Sequence, residues 1–414
     1  MKRKLLTQMR TEWRTNIWMV VELAIVGLVV SLIVIVLAQL NYMKHRTEHL
    51  YDVDDIYIGS VNTIAKTADD FVPYAEGMGY VNDYDVIVGN LKDNPYVEAV
   101  AGGRNAMPYR YDYWGQRLST MVGDSIYSYS GNVRYLSPDL VRIMRLRGPN
   151  GETTEQLAGI IARGEWLVSP HDPTEVSCLP EEIVDRMAFQ SNDTTRVMRI
   201  GGICGGIARD DYESIFQGCV VAPLDGVDGR RLPDELVVRV KPGMEHKFME
   251  SLDQSKLQHG NVYVNNLQYI LDRRDNAQSN VDTLVRNMLV CAGFLLVAVF
   301  LGFLGSFWFR TQQRVPEIAL RMVNGATRRQ IFARLISEGL ILLLIGMVVF
   351  VPIIVCAMYS VDLVSEIMVI DSQVPNYIAL AITALLLAAM IVAGIWFPAR
   401  RAMKVQPAQA LKDQ

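Results

Sequence analysis

The sequence predicts an α-helical membrane domain of four spans carrying one large extracytoplasmic α+β domain. Three observations predict it. Half of the 414 residues are hydrophobic and the mean hydropathy is positive, at +0.17, which is high for a chain folding wholly in water. Four stretches are apolar over the roughly 20 residues that cross a bilayer: 17–40, 284–309, 336–358 and 377–397. Basic and acidic residues then separate between alternate connecting segments, as the positive-inside rule requires of a multi-pass protein.

That separation sets the topology. Lys2, Arg3, Lys4, Arg10 and Arg14 precede the first span against Glu12 alone. Six arginines stand against Glu317 in 310–335, and four basic residues against Asp413 in 398–414. Residues 41–280 instead hold 24 basic and 35 acidic residues, and the short outer segment 359–376 holds three acids and no Lys or Arg. Both termini and the 310–335 segment therefore belong in the cytoplasm, and 41–280 belongs outside it. The net charge of −4 averages two opposite faces. The pattern fits a bacterial inner membrane with the large domain in the periplasm.

In residues 1–16, Leu5, Met9 and Trp13 recur every four positions among Lys and Arg, the pattern of an amphipathic helix lying in the inner interface or of a simple positive anchor. The first apolar run is longer than a signal-peptide core and lacks a small-x-small cleavage site, so it reads as an uncleaved anchor. It carries Glu22, an acid expected to face another helix rather than lipid.

The outer segment mixes strand and helix signals. Ile56–Ala68 reads as helical, and Tyr84–Gly89 (YDVIVG) and Tyr96–Ala101 (YVEAVA) as strands. Glu235–Val240 (ELVVRV) alternates as a strand, Lys241-Pro242-Gly243 breaks it, Met244–Gln258 reads as a helix, and Asn261–Asn265 as a last strand. Strand–helix–strand units thus occupy both ends. The middle, about 105–225, is richer in Gly, Pro and Tyr and reads as an inserted β-rich lobe. Cys178, Cys204 and Cys219 face the oxidising side. They permit one disulfide, with Cys204 and Cys219 the closest pair in sequence, or three buried free thiols.

Catalytic constellations are missing from the sequence. It has no G-x-x-x-x-G-K-[ST], no H-E-x-x-H and no G-x-S-x-G. Gly201–Gly206 (GGICGG) lacks the lysine of a phosphate loop and reads as a turn or bulge. His45 and His49 share a helical spacing, but no carboxylate or thiol completes a metal site. The acidic outer segment gives no footprint for nucleic acid.

The densest signal lies in 310–335. Pro316 suits the first turn of a helix and Glu317 complements its positive end. Ile318, Leu320 and Met322 supply an apolar side, and Gly325, followed by Ala326, is placed to end the helix in a left-handed cap. Thr327 and Gln330 match a capping box that starts a second helix, which becomes the third span. The result is an elbow rimmed by Arg321, Arg328 and Arg329. Glu338 follows near the start of that span, with Arg334 one turn earlier. Ala384/Ala388 and Ala389/Ala393 give the fourth span a possible close-packing face.

The stretch PEIALRMVNGATRRQIFARLISEGLILLLIG resembles the FtsX-type, or MacB-type, ABC transporter permeases. The shared pattern falls on Glu317, Ile318, Arg321, Gly325, Ala326 and Glu338. The tail WFPARRAMKVQPAQALK resembles the family's closing motif at Pro398, Ala399, Arg401, Ala402, Pro407, Ala410 and Leu411. The resemblance implies a non-catalytic permease subunit that pairs with a second permease chain, identical or related. A separate ATPase subunit binding ATP and Mg would dock beneath it. Residues 316–330 and the N-terminal helix would form the coupling surface. The resemblance further implies mechanotransmission, in which ATP-driven closure moves a porter-like outer domain for export or extrusion. A periplasmic adaptor and an outer-membrane channel are possible companions. MacB itself carries a fused ATPase before its first span, whereas 16 residues precede that span here, so the ATPase is expected in another chain. Two other readings stay open: a signalling subunit that activates a cell-wall hydrolase, and a membrane receptor without an ATPase.

Overall fold

The computed structural model describes residues 13–44, 50–74, 79–109, 115–122, 124–170, 180–190, 193–212, 218–225, 231–313, 315–359 and 373–402. The amphipathic reading of 1–16, His45, His49, Cys178 and the end of the closing motif lie largely or wholly outside them. The chain divides into two units, Met43–Asn280 and the remainder.

In chain order, α1 is Trp13–Lys44. The larger unit begins with β1 (Ile56–Thr63), α2 (Gly79–Lys92) and β2 (Val97–Arg104). Then come β3 (Gly115–Val122), β4 (Ser125–Leu136), α3 (Pro138–Ile143), α4 (Thr154–Ala162), β5 (Trp166–Val168), α5 (Pro180–Ile183), β6 (Met187–Gln190), β7 (Asp193–Ile203) and β8 (Cys219–Pro223). The unit closes with β9 (Glu235–Val240), α6 (Glu245–Ser251), β10 (Gln258–His259) and β11 (Val262–Tyr269).

Strands β11, β1, β9 and β2 lie side by side, each antiparallel to its neighbour. β1–α2–β2 and β9–α6–β11 are therefore two interleaved β-α-β units, each with a strand of the other between its own two, the split arrangement. One face of this sheet is covered by α2 and α6 through Tyr84, Ile87, Leu91 and Phe248. On the other, Ile56, Ile58 and Val237 meet Leu140, Leu157 and Ile161 of α3 and α4.

Two expectations are overturned here. Residues 84–89 are helical within α2, because Val81, Tyr84, Ile87 and Leu91 are its buried residues, at helical spacing, while Val86 is exposed. Residues 56–63 are a strand. β1 sits between β11 and β9 with both faces covered, so its apolar residues run on without alternating and mimic a helix turn. The helix expected over 244–258 also ends early, at Ser251, and a 3₁₀ turn at Gln254–Leu257 follows.

Residues 115–223 supply β3–β8. Their pairings run β4–β3–β6–β7–β5–β8, and β8 returns to β4 in parallel. Six strands thus close into a small barrel, filled by Leu118, Tyr129, Val133, Ile200 and Val220 among others. Closure leaves no free edge in the barrel. The pairing of β7 with β5 slips at Gly201. A Cβ there would lie 2.6 Å from Ile160 Cγ2 of α4, so the glycine admits the helix against the strand.

The root of the next helix is tied into this unit. Arg274 Nε donates to Asp211 Oδ2 (2.6 Å), and the Tyr109 hydroxyl donates to Asp211 Oδ1 (2.8 Å). Arg273 Nε donates to the Tyr109 carbonyl (3.0 Å).

The second unit is helical. It holds most of α1 and of α7 (Ile270–Gln313), then α8 (Val315–Val323), α9 (Arg328–Tyr359) and α10 (Val374–Ala402). Four of these helices, α1, α7, α9 and α10, are long and apolar enough to cross a membrane. They share one core, including Leu23 of α1, Phe303 of α7, Leu342 and Phe350 of α9, and Ile391 of α10. Trp18, Phe294, Val348 and Leu385 are exposed on their other faces, where lipid rather than water suits them. A Cβ on Gly27 would stand 2.7 Å from Phe350 Cδ1, so the bare backbone at Gly27 is what lets the ring seat between α1 and α9.

Candidate functional site

The elbow between α8 and α9 is built from local chemistry. Pro316 and Glu317 occupy the first turn of α8. Arg321 donates to Glu317 Oε1 through Nη2 (2.6 Å) and Nε (3.1 Å), one turn along the same helix. Gly325 takes φ +89°. Its N–H donates to the Met322 carbonyl (3.1 Å), and the Ala326 N–H to the Arg321 carbonyl (2.9 Å). These two bonds around a left-handed glycine are the Schellman motif, and they satisfy carbonyls that the helix end would otherwise leave bare.

The second helix starts at once. Thr327 N–H donates to Gln330 Oε1 (3.0 Å), and Gln330 N–H donates to Thr327 Oγ1 (3.4 Å), the reciprocal capping box. Ile318 and Ile331 are both buried and join the two helices, with Val315, Met322, Ala326 and Leu335 packed around them. Burying each isoleucine contributes roughly 1.5–3 kcal/mol. Both sides of the turn are therefore fixed by hydrogen bonds and by a small apolar core.

The outward surface differs from expectation at one position. Leu320 lies 200° around the helix from Ile318, not beside it, and it is exposed together with Val323. Arg328, Arg329, Gly325 and Thr327 are exposed as well. Two apolar side chains and two arginines thus share the exposed surface of the turn.

The two acids of the spans are placed differently. Glu22, on α1, is half-buried, and its Oε1 is 3.3 Å from where a Cβ on Gly302 of α7 would stand. Glu338 is buried on α9. Sequence reasoning missed a third polar position: Gln39 Nε2 of α1 donates to Asn376 Oδ1 of α10 (2.7 Å), and Asn376 Nδ2 donates to Gln373 Oε1 (2.9 Å). The signal was an amide near the end of each of two apolar runs, where an isolated polar group would be costly in lipid.

Cys204 and Cys219 are both buried, and no disulfide joins them. The pairing is ruled out by the strand order. Cys204 N–H donates to the Val168 carbonyl and Ser169 N–H to the Cys219 carbonyl, so β5 and its extension lie between them. Two strand spacings, about 9–10 Å, exceed the reach of a disulfide. Among the described residues no cluster of three His, Cys, Asp or Glu side chains could hold a metal ion.

Comparisons with known proteins bear on the helical unit first. Residues 289–407 match the family model described as FtsX-like permease C-terminal. The probable syringafactin export ATP-binding/permease protein SyfD of Pseudomonas syringae pv. tomato is 25% identical over 190 residues, 44% of this chain. The match spans 27% of that relative's length. The extracellular domain of the noncanonic ABC-type transporter YknZ from Gram-positive bacteria is matched over its whole length and 50% of this chain, at 10% identity and a TM-score of 0.30, a likeness too loose to identify the larger unit. The elbow, Glu338, the C-terminal half of α7 and all of α9 and α10 fall inside 289–407, the part of the chain that matches the FtsX-like permease C-terminal model.

Proposed function

We propose that the chain is the permease subunit of an ABC-type transporter, driven at its elbow by a separate ATPase subunit that binds ATP and Mg. The observation that carries this reading is the surface of the elbow. Leu320 and Val323 are exposed beside Arg328 and Arg329 on a turn whose backbone is held by a Schellman motif and a capping box. A connecting loop needs neither the apolar pair nor the double cap. A surface that receives force from a partner needs both, because a yielding turn would absorb the motion. The FtsX-like match across this segment supports it, as does a relative named for ATP binding, permeation and export.

On this reading the elbow faces the cytoplasm and Met43–Asn280 faces the periplasm of a bacterial inner membrane. Closure of the ATPases rocks the spans, and the motion reaches an outer, porter-like domain by mechanotransmission, for export or extrusion. A second permease chain completes the membrane part, and a periplasmic adaptor with an outer-membrane channel would complete the path. The roles of Pro316, Glu317, Ile318, Arg321 and Gly325–Arg329 are to hold or present the docking surface. The chain supplies no catalysis of its own.

The test is a gentle pull-down of the full-length tagged chain, assayed for ATP hydrolysis and for companions. An ATPase present with wild type and absent with Glu317→Lys is the expected result. A preparation without an ATPase in either case overturns the proposal in favour of a receptor. A cell-wall hydrolase among the companions, with export intact in a deletion strain, converts it to the signalling reading.

A further inference from the structure

The mouth of the six-stranded barrel forms a cleft that the coupling proposal does not use. It opens where β4, β6 and β8 end and β5 and β7 begin, a common end fixed by their pairings. Tyr135 and Trp166 pack against the barrel core there and form part of the wall. The cleft holds about 470 Å³, within the roughly 300–1,000 Å³ range of small-molecule sites, which favour barrel mouths.

Its charge runs against its surroundings. Residues 41–280 carry 35 acids and 24 bases, yet the described residues lining the cleft include three arginines, Arg163, Arg196 and Arg231, and one acid, Asp225. Arg163 also pairs with Glu165 through Nη2 (2.9 Å), which leaves other donors of its guanidinium for a ligand. A guanidinium presents five N–H donors in a planar fork that fits carboxylate and phosphate. The two aromatic rings offer a flat apolar wall beside those forks. Tyr135, Trp166, Gln190, Arg196 and Pro223 of this lining lie on the barrel strands themselves, whose pairings hold that part of the wall in place.

We propose that this mouth binds an anionic amphiphile, a molecule with a carboxylate or phosphate head and an apolar, ring-sized body. The head sits among the arginines and the body against Trp166 and Tyr135. The proposal stands independently of the elbow: a variant that loses its ATPase partner there should bind the same ligand unchanged.

The experiment uses the full chain in nanodiscs of zwitterionic lipid, with empty nanodiscs as the blank. Isothermal titration compares 1-naphthyl phosphate and 2-naphthoate with inorganic phosphate and with 1-naphthyl glucoside. Saturable binding of a naphthyl anion at least tenfold tighter than either phosphate or the glucoside is expected, and whichever head binds tighter identifies the anion. Arg196→Gln/Arg231→Gln should weaken it at least tenfold, and a Trp fluorescence change on binding should vanish in Trp166→Phe. If the double variant fails to fold, Arg196→Lys/Arg231→Lys, which keeps charge and loses the forks, takes its place with the same expected loss. Equal affinity for inorganic phosphate, equal affinity for the glucoside, absence of binding, or indifference to the arginine substitutions would each overturn the proposal.

Discussion

Arg321 clamps Glu317 one turn back along the same short helix, at 2.6 Å, with both side chains about two-fifths exposed. A pair of this kind stabilises a helix by only roughly 0.3–0.5 kcal/mol. Its removal should therefore leave the unfolding midpoint of the protein nearly unchanged. If the pair orders the docking surface, Arg321→Ala should lower partner-stimulated ATP hydrolysis at least fivefold while membrane insertion stays normal. Swapping the charges, Glu317→Lys with Arg321→Glu, restores the pair but not its placement, and should remain inactive. Wild-type hydrolysis in the swapped variant would assign the pair to stability alone.

Gly325 makes a separate prediction about the turn. Its φ of +89° lies where a Cβ costs about 1–2 kcal/mol. Gly325→Ala should loosen both Schellman bonds, and amide exchange at Gly325 and Ala326 should rise roughly 5- to 30-fold. Gly325→Asn should rise less, since asparagine tolerates this backbone. Hydrogen exchange read by mass spectrometry over 315–335, with Met43–Asn280 as the internal reference, checks both.

Legibility in the sequence followed the range of the forces involved. The elbow was readable because each of its bonds joins residues within five of one another, so Thr327, Gln330 and Gly325 announce the caps by spacing alone. The four long apolar helices were readable because hydrocarbon demands length and composition, not partners. The outer strands were less so. β9 was found within its bounds, but β1 and α2 were exchanged. Both faces of β1 are covered by distant parts of the chain, and a β-branched run in α2 imitates a strand. The barrel closure was hidden altogether, since it rests on β4 meeting β8 some 87 residues later. The Gln39–Asn376 bond, 337 residues apart, was hidden for the same reason.

The seat of Phe350 over Gly27 gives a prediction within the helical unit. A methyl group there meets the ring at 2.7 Å from Cδ1, and overpacking of this kind costs typically about 1–3 kcal/mol. Gly27→Ala should lower the midpoint of thermal unfolding in detergent. Phe350→Leu alone should cost stability by leaving a void, but in the Gly27→Ala background it should recover part of the loss. The two residues are in contact, so a double-mutant cycle should show a coupling of about 1 kcal/mol or more. Strict additivity would mean that the ring moves aside freely.

Cys204 yields the pH prediction. Burial pushes its thiol well above the ordinary value, which is about 8.5 in an unfolded chain. Below that value the thiol is neutral in both states and costs nothing. As pH rises through it, the unfolded chain releases a proton that the folded chain retains, so folding stability falls. The slope for one such thiol is about 1.4 kcal/mol per pH unit. Tyr84, Tyr109 and Tyr129 are also held up by burial and add to the fall above about pH 10. Urea unfolding of the full chain between pH 8 and 10 should therefore show a decline that Cys204→Ala makes shallower, whatever the variant costs in absolute stability. Thiol titration gives the companion result. Cys204 should resist a soluble disulfide reagent in the native protein and react only after denaturation, and no Cys204–Cys219 crosslink should form under oxidising conditions.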